Sequence, residues 1–157
     1  LRDSSVFSLA RGLVPKVVNN LVDARSELML HFRNIIRDFT EAAAKNIIED
    51  TLIIESKEDL SSLVEKNARL RHNVDEKLPR IHAQICNFIN DGVIVTHLMD
   101  AVQETVIQSY SSFLEEVNEK AETGLLDKEQ ASDLMYEDVF ADFLSKVAGK
   151  LPNTNKE

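Results

Sequence analysis

From Val14 onward the apolar residues of this chain return every three or four positions, and almost nothing interrupts them. At alternating four and three spacing, positions 14, 18, 21, 25, 28, 32, 35, 39, 42 and 46 are Val, Val, Leu, Arg, Leu, Phe, Ile, Phe, Ala and Asn, so eight of the ten are apolar. Residues so spaced share one face of an α-helix, which predicts an amphipathic helix from about 15 to the low fifties. Within it, EAAAK at 41–45 is strongly helix-forming and places Glu41 and Lys45 at i,i+4. At about 1.5 Å per residue, such a helix is roughly 50–60 Å long. Two features disturb it. Gly12 and Pro15 precede the stripe, and Arg25 stands inside it. Pro15 lacks a backbone N–H and biases Val14 away from the α region, so it suits a first turn or a kink. The expected division is a short helix and junction over 1–14, a helical bundle domain over 15–149 and a flexible tail over 150–157.

The same periodicity recurs downstream. Ser56, with Asp59 three residues later, resembles a helix start, and Leu60, Leu63, Leu70 and Val74 then share a face that Asn67 interrupts. Pro79 is expected to kink or restart this helix, after which Leu78, Ile81, Ile85 and Phe88 supply another apolar face. Asn90-Asp91-Gly92 is the clearest stop, with Gly92 suited to a left-handed helix end. Val95, Leu98, Val102, Val106, Tyr110, Phe113 and Val117 follow without a polar interruption. Thr123-Gly124 reads as a turn and Asp127 as a cap, before a last helix through Val139, Phe140, Phe143, Leu144 and Val147 that Gly149 and Pro152 end. No alternation of period two appears. The fold class is all-α, an elongated, rod-like, up-down helical bundle, with Phe32 and Val102 among the seam residues that fill its core.

Composition narrows the function. At 157 residues the chain has the size of one domain or a piece of something longer, and its start at Leu1 favours a fragment. No apolar run approaches the ~18 residues of a membrane span. Cys86 is the lone cysteine, which fits a reducing compartment and a buried, inert thiol. The net charge of −9 is uneven: residues 1–90 are neutral, whereas 113–143 hold ten acids against Lys120 and Lys128. Such an acidic segment repels phosphates, which argues against nucleic-acid binding.

Chemistry-bearing patterns are absent. His31, His72, His82 and His97 lack the spacings of helix-borne metal sites, and His31 and His97, beside apolar stripes, read as partly buried structural histidines. No glycine-rich phosphate loop or nucleophile elbow occurs. Glu115, Glu119 and Glu122 form a ridge on one helical face, read either as a solvated face or as a docking surface for a basic partner. Residues 65–82 hold five bases against three acids, and Arg69, Arg71 and Arg80 there are either an exposed helix surface or a contact for an acidic partner helix or a membrane. Arg25 suits either a snorkelling side chain or a pair with an acid of a neighbouring helix. No catalytic, metal-binding or cofactor-binding residue emerges. The competing readings are a metal- or cofactor-binding bundle using His31 or His97, and a structural spacer.

Several segments nevertheless match a family. Ser8-Leu9-Ala10-Arg11, Pro15, Asp23-Ala24-Arg25 and Glu27-Leu28, running into a long helix, resemble the C-terminal region of the third-subunit family of the conserved oligomeric Golgi (COG) vesicle-tethering complex. So do Leu78-Pro79, the helix–turn–helix that follows, and the closing LMYEDVFADFL. The resemblance implies a helical rod of the multisubunit-tether type and a non-enzymatic protein-interaction domain. It implies a peripheral location on the cytoplasmic face of the Golgi and a role in intra-Golgi retrograde vesicle traffic. The implied partners are the other subunits of the complex, SNAREs, Rab-type GTPases and vesicle coat proteins.

Overall fold

A computed structural model describes residues 2–56, 58–125 and 133–152, with side chains from Pro15 onward. Among the described residues there are four α-helices and no strand: α1 (Arg2–Ile48), α2 (Leu60–Phe88), α3 (Gly92–Glu122) and α4 (Glu137–Gly149). The chain divides into two units, Leu1–Asp38 and Phe39–Glu157, with α1 contributing to both. The expected cap Asp127 and the tail segment 153–157 lie outside the described residues.

The first unit is the N-terminal part of α1. The helix end expected near Gly12 is not there, because α1 runs through Gly12 and Pro15. An internal proline leaves the carbonyl four residues back, here Arg11, without its helical donor, at a cost of about 3 kcal/mol. The uninterrupted helix formers on the C-terminal side of Pro15 offset that cost, since propagation adds a hydrogen bond per residue once a helix exists.

The second unit is a bundle in which α2, α3 and α4 pack pairwise. Asp59, not Ser56, caps α2: its carboxylate accepts the Ser62 N–H at 2.9 Å. Pro79 neither ends nor restarts that helix. Pro79 and Asp75 are both exposed, so the carbonyl that the proline frees lies on the water side. Gly92 is the first residue of α3 instead of a left-handed stop, and Asp91 caps it by accepting from Val93 N at 2.9 Å and Ile94 N at 3.3 Å. Among the described residues the left-handed glycine is Gly124, with φ of 79°, in the turn expected at Thr123-Gly124.

The seam of α3 is buried along its whole length, from Val95 to Val117. On α2, Leu63, Leu70, Val74 and Leu78 are completely buried, while Phe88 is 89% exposed and drops out of the expected face. Phe140 and Leu144 of α4 close the core, with the Phe140 ring 4.3 Å from the Tyr110 ring, centroid to centroid. Asn67 contacts Tyr110, while His82 lines a groove with Val95 and Met99, pairings nested about the turn at 89–91. That nesting makes α2 and α3 antiparallel. The α4 partners advance from Tyr110 toward Val95 as the chain goes from Phe140 to Ala148, so α4 runs antiparallel to α3. The up-down order expected from the sequence is the order found.

Asn67, the polar interruption of the α2 face, is buried with both ends of its amide hydrogen-bonded. Its Nδ2 donates to the Tyr110 hydroxyl at 3.1 Å, that hydroxyl donates to the Met135 carbonyl at 2.6 Å, and Met135 N donates to Asn67 Oδ1 at 3.3 Å. The triangle ties the segment ahead of α4 to both long helices. Burial pushes the Tyr110 hydroxyl above its ordinary pKa of 10.0, with the Asn67 hydrogen bond opposing.

Candidate protein-interaction surfaces

Three surfaces carry the residues singled out by sequence. The first is the apolar stripe of α1. Between Pro15 and Asp38 the helix exposes Val17, Val18, Leu21, Val22, Leu28, Met29, Leu30, Phe32 and Ile35. Phe32 is 48% exposed and Leu28 68%. The expectation that Phe32 fills a core therefore fails: its helix forms as expected, but Phe32 is not covered by any described residue. Large apolar residues clustered on one surface in this way mark an interaction site more often than scattered ones do. Arg25 is exposed in the middle of the stripe and makes no ion pair with a described residue. The cross-helix acid expected for it is not supplied by any described residue of this chain.

The second surface is the basic stretch of α2, and much of it is engaged within the second unit. The last carbonyls of an α-helix have no helical donor, and α2 supplies donors to α1. Asn73 Nδ2 reaches the Ile47 carbonyl at 2.9 Å, and Lys77 Nζ reaches the Asn46 carbonyl at 2.7 Å while pairing with Glu49. Glu49 sits at φ of 51°, the left-handed position that ends α1. Lys66 crosses to the Ile53 carbonyl at 2.8 Å and to Glu58 at 2.6 Å. Burial on its own would raise the Glu58 carboxyl, but hydrogen bonds from Lys66, the Glu55 N–H and the Ser62 hydroxyl hold it below its ordinary 4.5. The three arginines singled out lie at different stations. Arg69 pairs with Asp50, Arg71 stacks 5.0 Å over the Phe143 ring of α4, and Arg80 pairs with Glu76 at 2.7 Å. All three remain exposed.

A groove lies beside Arg80. Its volume is about 430 Å³, and it is lined by Phe39, Ala42, Ala43 and Asn46 of α1 and by Lys77, Arg80, Ile81 and Gln84 of α2. The periodicity had put Phe39, Ala42 and Asn46 in the α1 seam, facing a core. In the second unit α1 instead buries Thr40, Ala43, Ala44 and Ile47. The buried face is turned by about one residue from the one read in sequence, and the expected seam becomes a groove wall. The signal was present in the three consecutive alanines Ala42–Ala44, small enough for close helix approach, but spacing alone does not say which of them turn inward.

The third surface is the ridge of Glu115, Glu119 and Glu122 on α3, all exposed and none ion-paired with a described residue. Their neighbours Phe113, Val117 and Ala121 are buried beneath. The histidines divide differently from the expectation: His31 and His97 are exposed, and His82 is the buried one. The Cys86 sulfur lies 3.7 Å from His82 Nε2 and 3.9 Å from Nδ1, an i,i+4 pairing the sequence reading passed over. Near-equal distances to both nitrogens describe contact with the ring instead of a directed hydrogen bond. Among the described residues, no three His, Cys, Asp or Glu side chains come together as a metal site, and no helix is long and apolar enough to cross a membrane.

Comparison with known proteins shows what the chain is similar to. Over 150 residues, 96% of its length, the chain is 53% identical to Conserved oligomeric Golgi complex subunit 3 of Saccharomyces cerevisiae (strain ATCC 204508 / S288c). This chain is a relative of COG subunit 3. The COG subunit 3 of Schizosaccharomyces pombe (strain 972 / ATCC 24843) is 26% identical over 112 residues, 71% of the chain. The chain spans 18% and 14% of the lengths of these two relatives. No family model matches the chain, and no solved structure does.

Proposed function

We propose that the chain is a non-enzymatic protein-interaction domain of a Golgi vesicle-tethering complex subunit, acting in intra-Golgi retrograde vesicle traffic. The 53% identity to COG subunit 3 over 96% of the chain carries this reading. The domain works at the cytoplasmic face of the Golgi as part of a peripheral assembly. It binds other subunits of the complex directly, and SNAREs, Rab-type GTPases and coat proteins come to it through that assembly. The surface chemistry supports the reading: one face of exposed apolar residues and two of opposite charge, Arg69, Arg71 and Arg80 on α2 and Glu115, Glu119 and Glu122 on α3. Apolar anchors within a polar surround are the usual anatomy of helix-mediated recognition.

The test is to reverse both charge sets in the full-length subunit and measure co-purification of COG subunits and Golgi SNAREs. Weakened capture with an unchanged circular-dichroism spectrum is the expected outcome. Unchanged capture with both sets reversed removes these residues from the interface. Stoichiometric metal in the purified protein would overturn the non-enzymatic assignment in favour of a metal-binding bundle.

A further inference from the structure

The groove between the end of α1 and α2 has the makings of a defined docking site. Its floor is apolar, from Phe39, Ala42, Ala43 and Ile81, and its rim carries Lys77 and Arg80. We propose that this groove seats the apolar face of an amphipathic helix from another polypeptide, with an acidic residue of that helix against Arg80. The proposal rests on the reading of the chain as an interaction domain and names the site that domain uses.

The two cations divide the work. Lys77 is held by the Asn46 carbonyl and Glu49 and fixes the groove wall to α2. Arg80 is 67% exposed at its side chain, and its Glu76 partner is one turn away on the same helix. Such an exposed i,i+4 pair contributes about 0.3–0.5 kcal/mol, and a planar guanidinium has donors to spare for a second carboxylate. The sign of the occupant follows from the surroundings. The groove's lining holds Lys77 and Arg80 and no acid. The occupant must also supply side chains, because a floor of Phe39, Ala42 and Ile81 takes anchors at i and i+3 or i+4 from a helix laid along it.

The α3 ridge and the α1 stripe of a second copy each meet one demand but not both. Its Glu115–Glu119–Glu122 ridge has the charge, yet the apolar residues beside it are buried. Its exposed α1 stripe has the anchors, yet carries Arg25 in the middle. An anionic membrane supplies phosphates and no side chains to fill the floor.

The experiment places the photocrosslinking residue p-benzoylphenylalanine at Gln84 or at Ala42, both exposed, in the full-length subunit within its assembled complex. Crosslinked peptides are then identified by mass spectrometry. The expected result is that both positions crosslink to one contiguous segment of a different polypeptide, amphipathic and bearing Asp or Glu one turn from its apolar face. Arg80→Glu should lower the yield by about tenfold and Arg80→Lys by much less, with complex assembly unchanged. Crosslinks to a second copy of the chain, to lipid, to a basic segment or to nothing, with the other subunits still co-purifying, overturn the groove and leave the interaction-domain reading standing. Loss of co-purification in the unmodified complex overturns that reading and the groove with it. A yield insensitive to Arg80→Glu removes the acid–arginine contact.

Discussion

Residues 15–38 of α1 and the whole of α3 carry the same apolar spacing, and the two stretches end in opposite environments. Every seam position of α3 from Val95 to Val117 is buried, and Val102 is completely so. In α1 the equivalent positions Val18, Leu21, Leu28, Phe32 and Ile35 all face out. Periodicity is a statement about one helix: it says which side is apolar and that water is a poor neighbour for that side. Whether a neighbour exists is decided elsewhere in the chain. For α3 the neighbours are α2, joined to it by the short turn at 89–91, and α4. An apolar face exposed in the isolated chain is where another polypeptide has most to gain by binding.

The sharpest way to break that comparison is to charge both seams. Val102→Asp buries an unpaired carboxylate and should cost several kcal/mol, about 3–5, or unfold the bundle outright in a circular-dichroism melt. Phe32→Asp should leave the melting of the bundle within about 0.5 kcal/mol, as surface substitutions do. Equal effects from the two would show that the α1 stripe is covered after all. The polar triangle comes next. Tyr110→Phe leaves the Met135 carbonyl and Asn67 without their shared hydroxyl, and should destabilise by about 1–3 kcal/mol in denaturant unfolding.

A cap substitution is smaller. Asp91→Ala removes the acceptor for Val93 and Ile94 at the start of α3 and should cost about 1 kcal/mol. Arg71→Ala, which removes the stack on Phe143, should cost about 0.5–1 kcal/mol. The pH dependence has a definite sign. Glu58 titrates below its ordinary 4.5 in the folded chain, so it adds stability above that pH and loses it as the pH falls through its folded value. The melting difference between wild type and Glu58→Gln should therefore be fully present well above the ordinary 4.5 and be lost as the pH falls through the folded value of Glu58. A difference that grew on acidification would show that the Lys66 and Ser62 contacts do not stabilise the carboxylate.

The four described helices, the turn at Gly124 and the α3 core were legible because each is dictated locally, by 3–4 spacing, by capping side chains and by the one residue type that enters the left-handed region without strain. The errors share a cause. Pro15 and Pro79 were expected to begin, restart or kink helices, and no helix begins at either, since α1 and α2 run through both. A proline removes one hydrogen bond, whereas a long helix is held by many and by the packing of its neighbours. Asn67 looked like an interruption and is the hub of a buried network, because its partners lie 43 and 68 residues away in sequence. The basic stretch looked free for a partner, yet Lys66, Lys77 and Arg69 are turned back on the chain leaving α1, and no spacing rule links residue 46 to residue 77.

By itself, then, the sequence determined that this protein is helical, where most of its helices end, and which face of each is apolar, since those properties depend on residues within a few positions of one another. Its quoted segments also pointed to the COG subunit 3 family that the comparisons then matched. Tertiary structure alone decided which apolar faces are covered, which face of α1 turns inward beyond Asp38, and which charges are spent inside the bundle. Those outcomes depend on distant segments meeting in space. The contrast between a buried α3 and an exposed α1 stripe is therefore a property of what packs against each helix, and not of either helix alone.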